Sequence, residues 1–158
     1  MNVVVFFTDQ QRWDTTGVHG NPCMLTPNFD KMAMEGTHVY EAFTPQPVCC
    51  PARGVLQTGK YATTVGTYRN ARVLGRAHKT MADYFNAAGY DTGYIGKWHL
   101  GSGRGAVPEE ERGGYRYWLG ANSLEHTSTA YHTVVYDNEN QEVTLPGYRV
   151  DALTDAAI

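Results

Sequence analysis

Two short apolar runs in the sequence predict buried β-strands. Val3–Phe7 is continuous and rich in β-branched and aromatic side chains, which is typical of a parallel strand covered on both faces. A second run starts at Tyr90 and includes Tyr94 and Ile95 before the chain becomes polar. We expect these two runs to be central strands of one mostly parallel sheet.

Segments with helical spacing lie between and after these runs. Proline near a helix start and glycine after its end predict the helix boundaries. A short strand over His38–Phe43 and a hairpin formed by Tyr131–Tyr136 and Gln141–Leu145 complete the pattern. The predicted helices begin after Thr26, near Pro51, after Thr80 and near Val150. Strands that alternate with helices in this way predict an α/β fold.

Polar residues follow the first predicted strand directly. Asp9 and Gln10 come after Phe7, and ligands of open α/β sheets gather at the carboxyl ends of strands. A carboxylate there is well placed to hold a hard cation, which prefers oxygen ligands. The alternative is that Asp9 only caps the following turn.

The segment around Cys49 combines a helix start with reactive and charged side chains. Pro51 suits the beginning of a helix, and Gly59 suits its αL end. A helix N-terminus attracts anions, and the four-residue spacing brings Arg53 onto the same face as Cys49. The segment therefore predicts a site for an oxyanion.

The second apolar run ends in Lys97-Trp98-His99. In an extended chain Lys97 and His99 point the same way and Trp98 points to the opposite side. An ammonium beside an imidazole suits an oxyanion and its nucleophile, although a surface lysine and a packed histidine would give the same pattern.

These two segments carry a resemblance to a known family. The Cys-x-Pro-x-Arg element at 49–53, with Thr58-Gly59 behind it, resembles the signature of the type I, formylglycine-dependent sulfatases. The segment Gly89–Gly101 is similar to the second signature of that family. Mild departures from the usual residues occur at Cys50, Ala52 and Lys60.

The resemblance implies a fold and a place within it. The family has an alkaline-phosphatase-like, three-layer α/β/α sandwich with a mostly parallel sheet, and residues 1–158 correspond to its N-terminal part. We expect the chain to stop within a helix near 150–158 of the catalytic domain. The later metal ligands of the family, and a further lysine and histidine, have no counterpart here.

The resemblance also implies a nucleophile and a metal. Cys49 corresponds to the cysteine that the family oxidises to formylglycine. Asp9 corresponds to a metal-binding aspartate at the end of the first strand, and Gln10 stands where many members have a second aspartate. The implied metal ligands are therefore Asp9, Gln10 and the group at Cys49, and the implied ion is Ca²⁺ with Mg²⁺ as the alternative.

The remaining candidate catalytic residues are implied in the same way. Arg53 and Lys97 correspond to cations that stabilise the oxyanions, and His99 corresponds to the histidine that hydrogen-bonds the formylglycine hydrate. One hydroxyl of that hydrate attacks sulfur and displaces the alcohol, and loss of the proton of the other expels sulfate.

The implied function is hydrolysis of sulfate esters, including those on sugars, by an enzyme matured by a formylglycine-generating or an anaerobic sulfatase-maturating enzyme. A phosphonate monoester or phosphodiester hydrolase of the same superfamily is the first alternative. A catalytically inactive fragment that lacks the C-terminal metal ligands is the second. A nucleotide-binding domain is set aside, because neither glycine-rich phosphate motif occurs.

The composition and charge of the chain indicate which kinds of partner and which location to expect. The chain has 158 residues, 42% hydrophobic and 18% charged, with a net charge of −3, which describes a globular protein without a basic field for nucleic acid. No apolar run predicts a membrane span or a signal peptide, so the expected location is cytoplasmic. Three cysteines do not form a disulfide framework. Exposed apolar faces of a partial sheet predict self-association. His126 and His132 remain candidates for substrate contact only.

Overall fold

A computed structural model describes residues 1–23 and 25–158. These residues divide into two compact units, Met1–Thr44 and Pro45–Ile158.

The first unit is built around one helix, α1 (Pro27–Glu35), which begins directly after Thr26 as predicted. Two short 3₁₀ turns precede it, Trp13–Thr15 and Gly17–His19. The carboxylate of Asp30 accepts hydrogen bonds from the Val18 N–H (2.8 Å) and the Thr26 hydroxyl (3.0 Å), and so ties the second turn to α1.

Neither strand predicted for this unit is present among the described residues. Val3–Phe7 and His38–Phe43 lie outside the β-sheet, and Val4 and Phe6 are 88% and 76% exposed. The prediction of a first central strand at Val3–Phe7 is therefore wrong for this structure. The physical reason is that a strand exists only when a neighbouring strand satisfies its backbone groups, which apolar composition does not supply.

The second unit contains four helices and a four-stranded sheet in its described residues. The helices are α2 (Cys49–Thr58), α3 (Met81–Ala87), α4 (Leu124–Thr127) and α5 (Arg149–Asp155). The strands are β1 (Gly93–Lys97), β2 (Tyr117–Ala121), β3 (Thr133–Tyr136) and β4 (Glu142–Leu145). A 3₁₀ turn at Glu109–Glu111 lies between β1 and β2.

Cap residues explain the ends of α2 and α3. Gly59 closes α2 in the left-handed conformation (φ 65°), as predicted. Pro51 is the third residue of the helix rather than its first, a position where its missing N–H still costs no hydrogen bond. Thr80 and Asp83 form a capping box at the start of α3.

The sheet is mixed. Its order is β1-β2-β3-β4; β1 pairs with β2 in parallel, and the other two pairings are antiparallel. The predicted hairpin is confirmed as β3 and β4. The α/β class is also confirmed, but this sheet is not mostly parallel and β1 lies at its edge. The hairpin after β2 extends the sheet by antiparallel pairing, and this places β1 outermost.

The sheet is covered on both faces. Successive β2 residues contribute to different cores, because their side chains point to opposite sides. Trp118 packs with Cys50 of α2, and Leu119 packs with Leu124 of α4. The second unit is therefore an α/β/α arrangement. Among the described residues, every helix is too short or too polar to cross a bilayer.

Candidate functional site

Helix α2 is joined to the carboxyl end of β1 through Arg53. The Arg53 side chain is buried (5% exposed), and its Nη1 donates hydrogen bonds to the Tyr94 hydroxyl (3.3 Å) and to the backbone carbonyl of Lys97. The Tyr94 hydroxyl donates to the same carbonyl. The structure therefore brings two predicted site segments together, the helix that carries Cys49 and the end of the strand that carries Lys97.

The adjacent cysteines have different surroundings. Cys49 is the first residue of α2 and is half-buried, whereas Cys50 is fully buried in the core. The Cys50 thiol donates to the Arg72 carbonyl (3.4 Å), and burial raises the pKa of that thiol. The Cys50 N–H donates to Asn70 Oδ1 (3.1 Å), which satisfies one amide of the first helical turn. Of the two, only Cys49 is accessible at the helix start.

Lys97 is paired with a carboxylate that the sequence does not place near it. Its Nζ lies 3.1 Å from Glu125 Oε2 and 3.2 Å from Oε1. Burial alone would raise the pKa of Glu125. Hydrogen bonds from its own N–H and from Lys97, with the charges of Lys97 and His99, outweigh this and hold the pKa below its ordinary value.

His99 has an unusual backbone. Its φ of 58° lies in the left-handed region, which is uncommon for a residue with a Cβ. Its N–H donates to the Asn122 carbonyl (2.7 Å). The Asn122 side chain accepts from the Gly101 N–H (2.9 Å) and donates to the carbonyls of Gly101 and Gly103 (2.7 Å each). Asn122 therefore fixes the loop after β1 and the conformation of His99.

Trp98 is fully buried in the core that also contains Cys50 of α2, and Tyr94 packs against this core. Its ring lies 5.0 Å from that of Tyr94 and 5.5 Å from that of Trp118, both in near-perpendicular contact. Trp98 enters this core while Lys97 pairs with Glu125 of α4, so these two neighbours point to opposite sides as predicted. His99 lies beyond the end of β1 and has a left-handed backbone, so the extended geometry expected for it is not present.

The two predicted metal ligands outside α2, Asp9 and Gln10, lie in the first unit, and both are exposed. Gln10 has a positive φ of 49°. Their oxygen atoms suit a hard cation in kind, but Ca²⁺ takes about six to eight oxygen ligands, more than these residues supply. Among the described residues, no group of three or more His, Cys, Asp or Glu side chains could hold a metal. The metal site stays a prediction.

Other predicted candidates lie on the surface. His126 of α4 and His132 before β3 are exposed, and their roles stay predictions. Three residues of this arrangement were not predicted from the sequence: Glu125, Asn122 and Tyr94. No local signal could have found them, because each acts through a residue that is distant in the sequence or on a neighbouring strand.

The fold and this arrangement define a class of protein: an α/β/α chain with a cysteine-led helix against the carboxyl end of a strand that carries a lysine and a histidine. The family model for Sulfatase matches residues 1–158. The chain belongs to the sulfatase family.

Individual relatives agree with this assignment. The ulvan-active sulfatase of Formosa agariphila is 40% identical over 144 residues, which are 90% of this chain and 28% of that protein. Human arylsulfatase A is 34% identical over 123 residues, which are 73% of this chain and 24% of that protein. A protein solved in complex with its substrate D-glucosamine-2-N,6-O-disulfate superimposes with a TM-score of 0.78 at 25% identity, over 94% of this chain and 28% of that one.

These comparisons confirm the family and the alkaline-phosphatase-like fold class. The chain spans about a quarter of the length of these relatives, 28% of the first and 24% of the second.

Proposed function

We propose that this chain forms the N-terminal part of a hydrolase of sulfate esters. The observation that carries the proposal is the Arg53 contact to the Lys97 carbonyl, which joins the two motif-bearing segments in one place. The family match over the whole chain supports the same activity.

In this proposal the chain's own residues bind and polarise the sulfate group. Arg53 and Lys97 supply positive charge beside the oxygens on which negative charge develops, in a setting where their positions are fixed in advance. His99 orients the nucleophile at position 49 and accepts its proton. Cys49, and not Cys50, is the cysteine that is oxidised to formylglycine, because Cys50 is enclosed by the core.

Two further components belong to the proposal. Formylglycine derived from Cys49 supplies a hydrated aldehyde as the nucleophile, and a formylglycine-generating or anaerobic sulfatase-maturating enzyme is the partner that produces it. Asp9 and Gln10 hold Ca²⁺, or Mg²⁺, with ligands from elsewhere in the protein; when bound, the cation withdraws charge from the sulfate.

The proposed substrate is a sulfate ester on a carbohydrate. The support comes from the relatives, one of which is named for activity on ulvan and another of which was solved with a sulfated glucosamine. The exposed apolar side chains of Val3–Phe7 additionally support association of the isolated chain with itself.

The test is made on full-length protein that contains this chain. Peptide mass analysis should show the loss that accompanies conversion of the Cys49 thiol to an aldehyde. Cys49→Ala should abolish hydrolysis of an aryl sulfate, and Cys50→Ala should retain the modification. Faster turnover of an aryl phosphonate than of an aryl sulfate would favour the phosphonate hydrolase instead. Activity of the 158-residue chain alone would contradict the need for ligands from elsewhere.

A further inference from the structure

Glu125 contacts a residue of the proposed site from a different element. Helix α4 begins soon after β2, the strand parallel to β1, and this places Glu125 next to the carboxyl end of β1. Both of its carboxylate oxygens lie within 3.2 Å of Lys97 Nζ. We propose that Glu125 is a positioning residue that holds the Lys97 ammonium in place and favours positive charge on His99. This inference rests on the function proposed above.

The burial of the two partners is unequal. The Lys97 side chain is 9% exposed and that of Glu125 is 46% exposed. A buried ammonium is costly unless a counter-charge accompanies it, whereas a half-exposed carboxylate is stable in water. Lys97 therefore depends on Glu125 more than Glu125 depends on Lys97.

Holding Lys97 has a consequence for anion binding. A lysine side chain has a flexible four-carbon stem, and ordering it at the moment of binding costs rotamer entropy. When Glu125 fixes the ammonium beforehand, this entropy is lost during folding and not during anion binding. The charge is then in position before the substrate arrives.

The link to His99 is electrostatic and mutual. Proximity to His99 is one of the causes that lower the pKa of Glu125, and the same interaction must favour the protonated form of His99. The Lys97 ammonium, which contacts the same carboxylate, opposes this effect on His99. Of the other groups around Glu125, β3, which packs against α4, has the sequence Thr-Val-Val-Tyr, and the neighbouring His126 is exposed.

The first test follows the His99 imidazole by NMR titration in the 158-residue chain. In Glu125→Gln the titration midpoint of His99 should fall by roughly half a pH unit, the size expected for a partly exposed charge pair. Glu142→Gln, an exposed acid on β4, is the matched control and should leave the midpoint unchanged. An unchanged His99 midpoint in Glu125→Gln overturns the proposal.

A measurement without substitution covers the case in which Glu125→Gln does not fold. The side-chain carboxyl carbons of Glu125 and Glu142 are titrated in the unmodified chain. A lower midpoint for Glu125 supports the proposal, and equal midpoints overturn it.

The second test uses full-length enzyme and an aryl sulfate. Glu125→Gln should lower kcat/KM by at least about tenfold and shift the limb of the pH profile that reports His99, with partial recovery in Glu125→Asp. A loss of activity without a shift of that limb overturns the role assigned to Glu125. If the full-length enzyme hydrolyses no sulfate ester, the proposed function fails, while the titration of His99 still decides the position of Glu125.

Discussion

Val3–Phe7 and β1 (Gly93–Lys97) both fall in segments predicted to be central strands, and they are opposite in structure. Val3–Phe7 is wholly apolar, whereas Gly93–Lys97 has the sequence Gly-Tyr-Ile-Gly-Lys. β1 pairs residue for residue with β2, from Gly93 opposite Tyr117 to Lys97 opposite Ala121. Val3–Phe7 has no ladder among the described residues, and its side chains are 47–88% exposed. Apolar side chains favour a strand, but a segment forms one only when its backbone hydrogen-bonds to a neighbouring strand.

The largest expected difference between these two runs is in amide hydrogen exchange. In this chain the β1 amides that bond to β2 should exchange at least about 10³-fold more slowly than those of Val4 and Val5, because the former open only with the sheet. The measurement is exchange followed by NMR at neutral pH. Comparable protection in Val3–Phe7 would mean that this run is paired in solution, which contradicts the comparison.

Disrupting the packing of α2 against the segment that follows it should have the next largest effect. A Cβ at Gly54 would lie 3.0 Å from the Thr67 Cβ and still closer to its hydroxyl, so Gly54→Ala should destabilise the chain by about 3 kcal/mol despite the helix preference for alanine. Chemical denaturation measures this. Gly75→Ala, where nothing lies within 4 Å, is the matched control and should be close to neutral.

Removing the hydrogen bonds that hold the loop after β1 should lower the free energy of unfolding by a somewhat smaller amount. Asn122→Ala leaves the N–H of Gly101 and the carbonyls of Gly101 and Gly103 without their amide partner, at a cost of about 2 kcal/mol. The backbone resonances of His99 should shift as well. Ser102→Ala, an exposed change in the same loop, should do neither; an equal loss in both variants would contradict the role of Asn122.

The smallest expected effect is a pH-dependent change in stability, and it comes from Asp83 in α3, the helix that precedes β1. Burial would raise the pKa of Asp83, but hydrogen bonds from Arg76 and Thr80 hold it below its ordinary value of 3.8. A lowered folded-state pKa contributes stability above about pH 3.8 that disappears as the pH falls through the folded value.

Asp83→Asn should therefore cost about 1 kcal/mol near neutral pH, the usual worth of a cap, and progressively less below about pH 3.8. Urea denaturation at several pH values measures this. Asp91→Asn is the control, because that carboxylate is 97% exposed. A cost for Asp83→Asn that did not decrease in acid would mean that its carboxylate charge is not the source of the stability.

Local signals in the sequence predicted local structure well. The Thr80 cap, the αL position of Gly59 and the hairpin turn after Tyr136 each depend on neighbouring residues, and each is present in the structure. The motifs also predicted the segments that carry Cys49 and Lys97.

Long-range arrangements were beyond the sequence signals. The edge position of β1 depends on how the hairpin after β2 adds to the sheet, and no periodicity reports that choice. The Lys97–Glu125 pair joins residues 28 positions apart, through the register of two parallel strands. The metal site has the same difficulty, since a cation needs more ligands than Asp9 and Gln10 supply, and spacing along the chain does not report which distant residues provide them.

Because the neighbouring thiols of Cys49 and Cys50 are buried to different extents, they should react differently with a thiol reagent. An alkylating reagent applied to the folded chain should label Cys23 and Cys49 and leave Cys50 untouched, because its sulfur is enclosed and its thiolate is disfavoured. Denaturation should make all three cysteines equally available, so labelling stoichiometry becomes a direct reporter of whether α2 is docked.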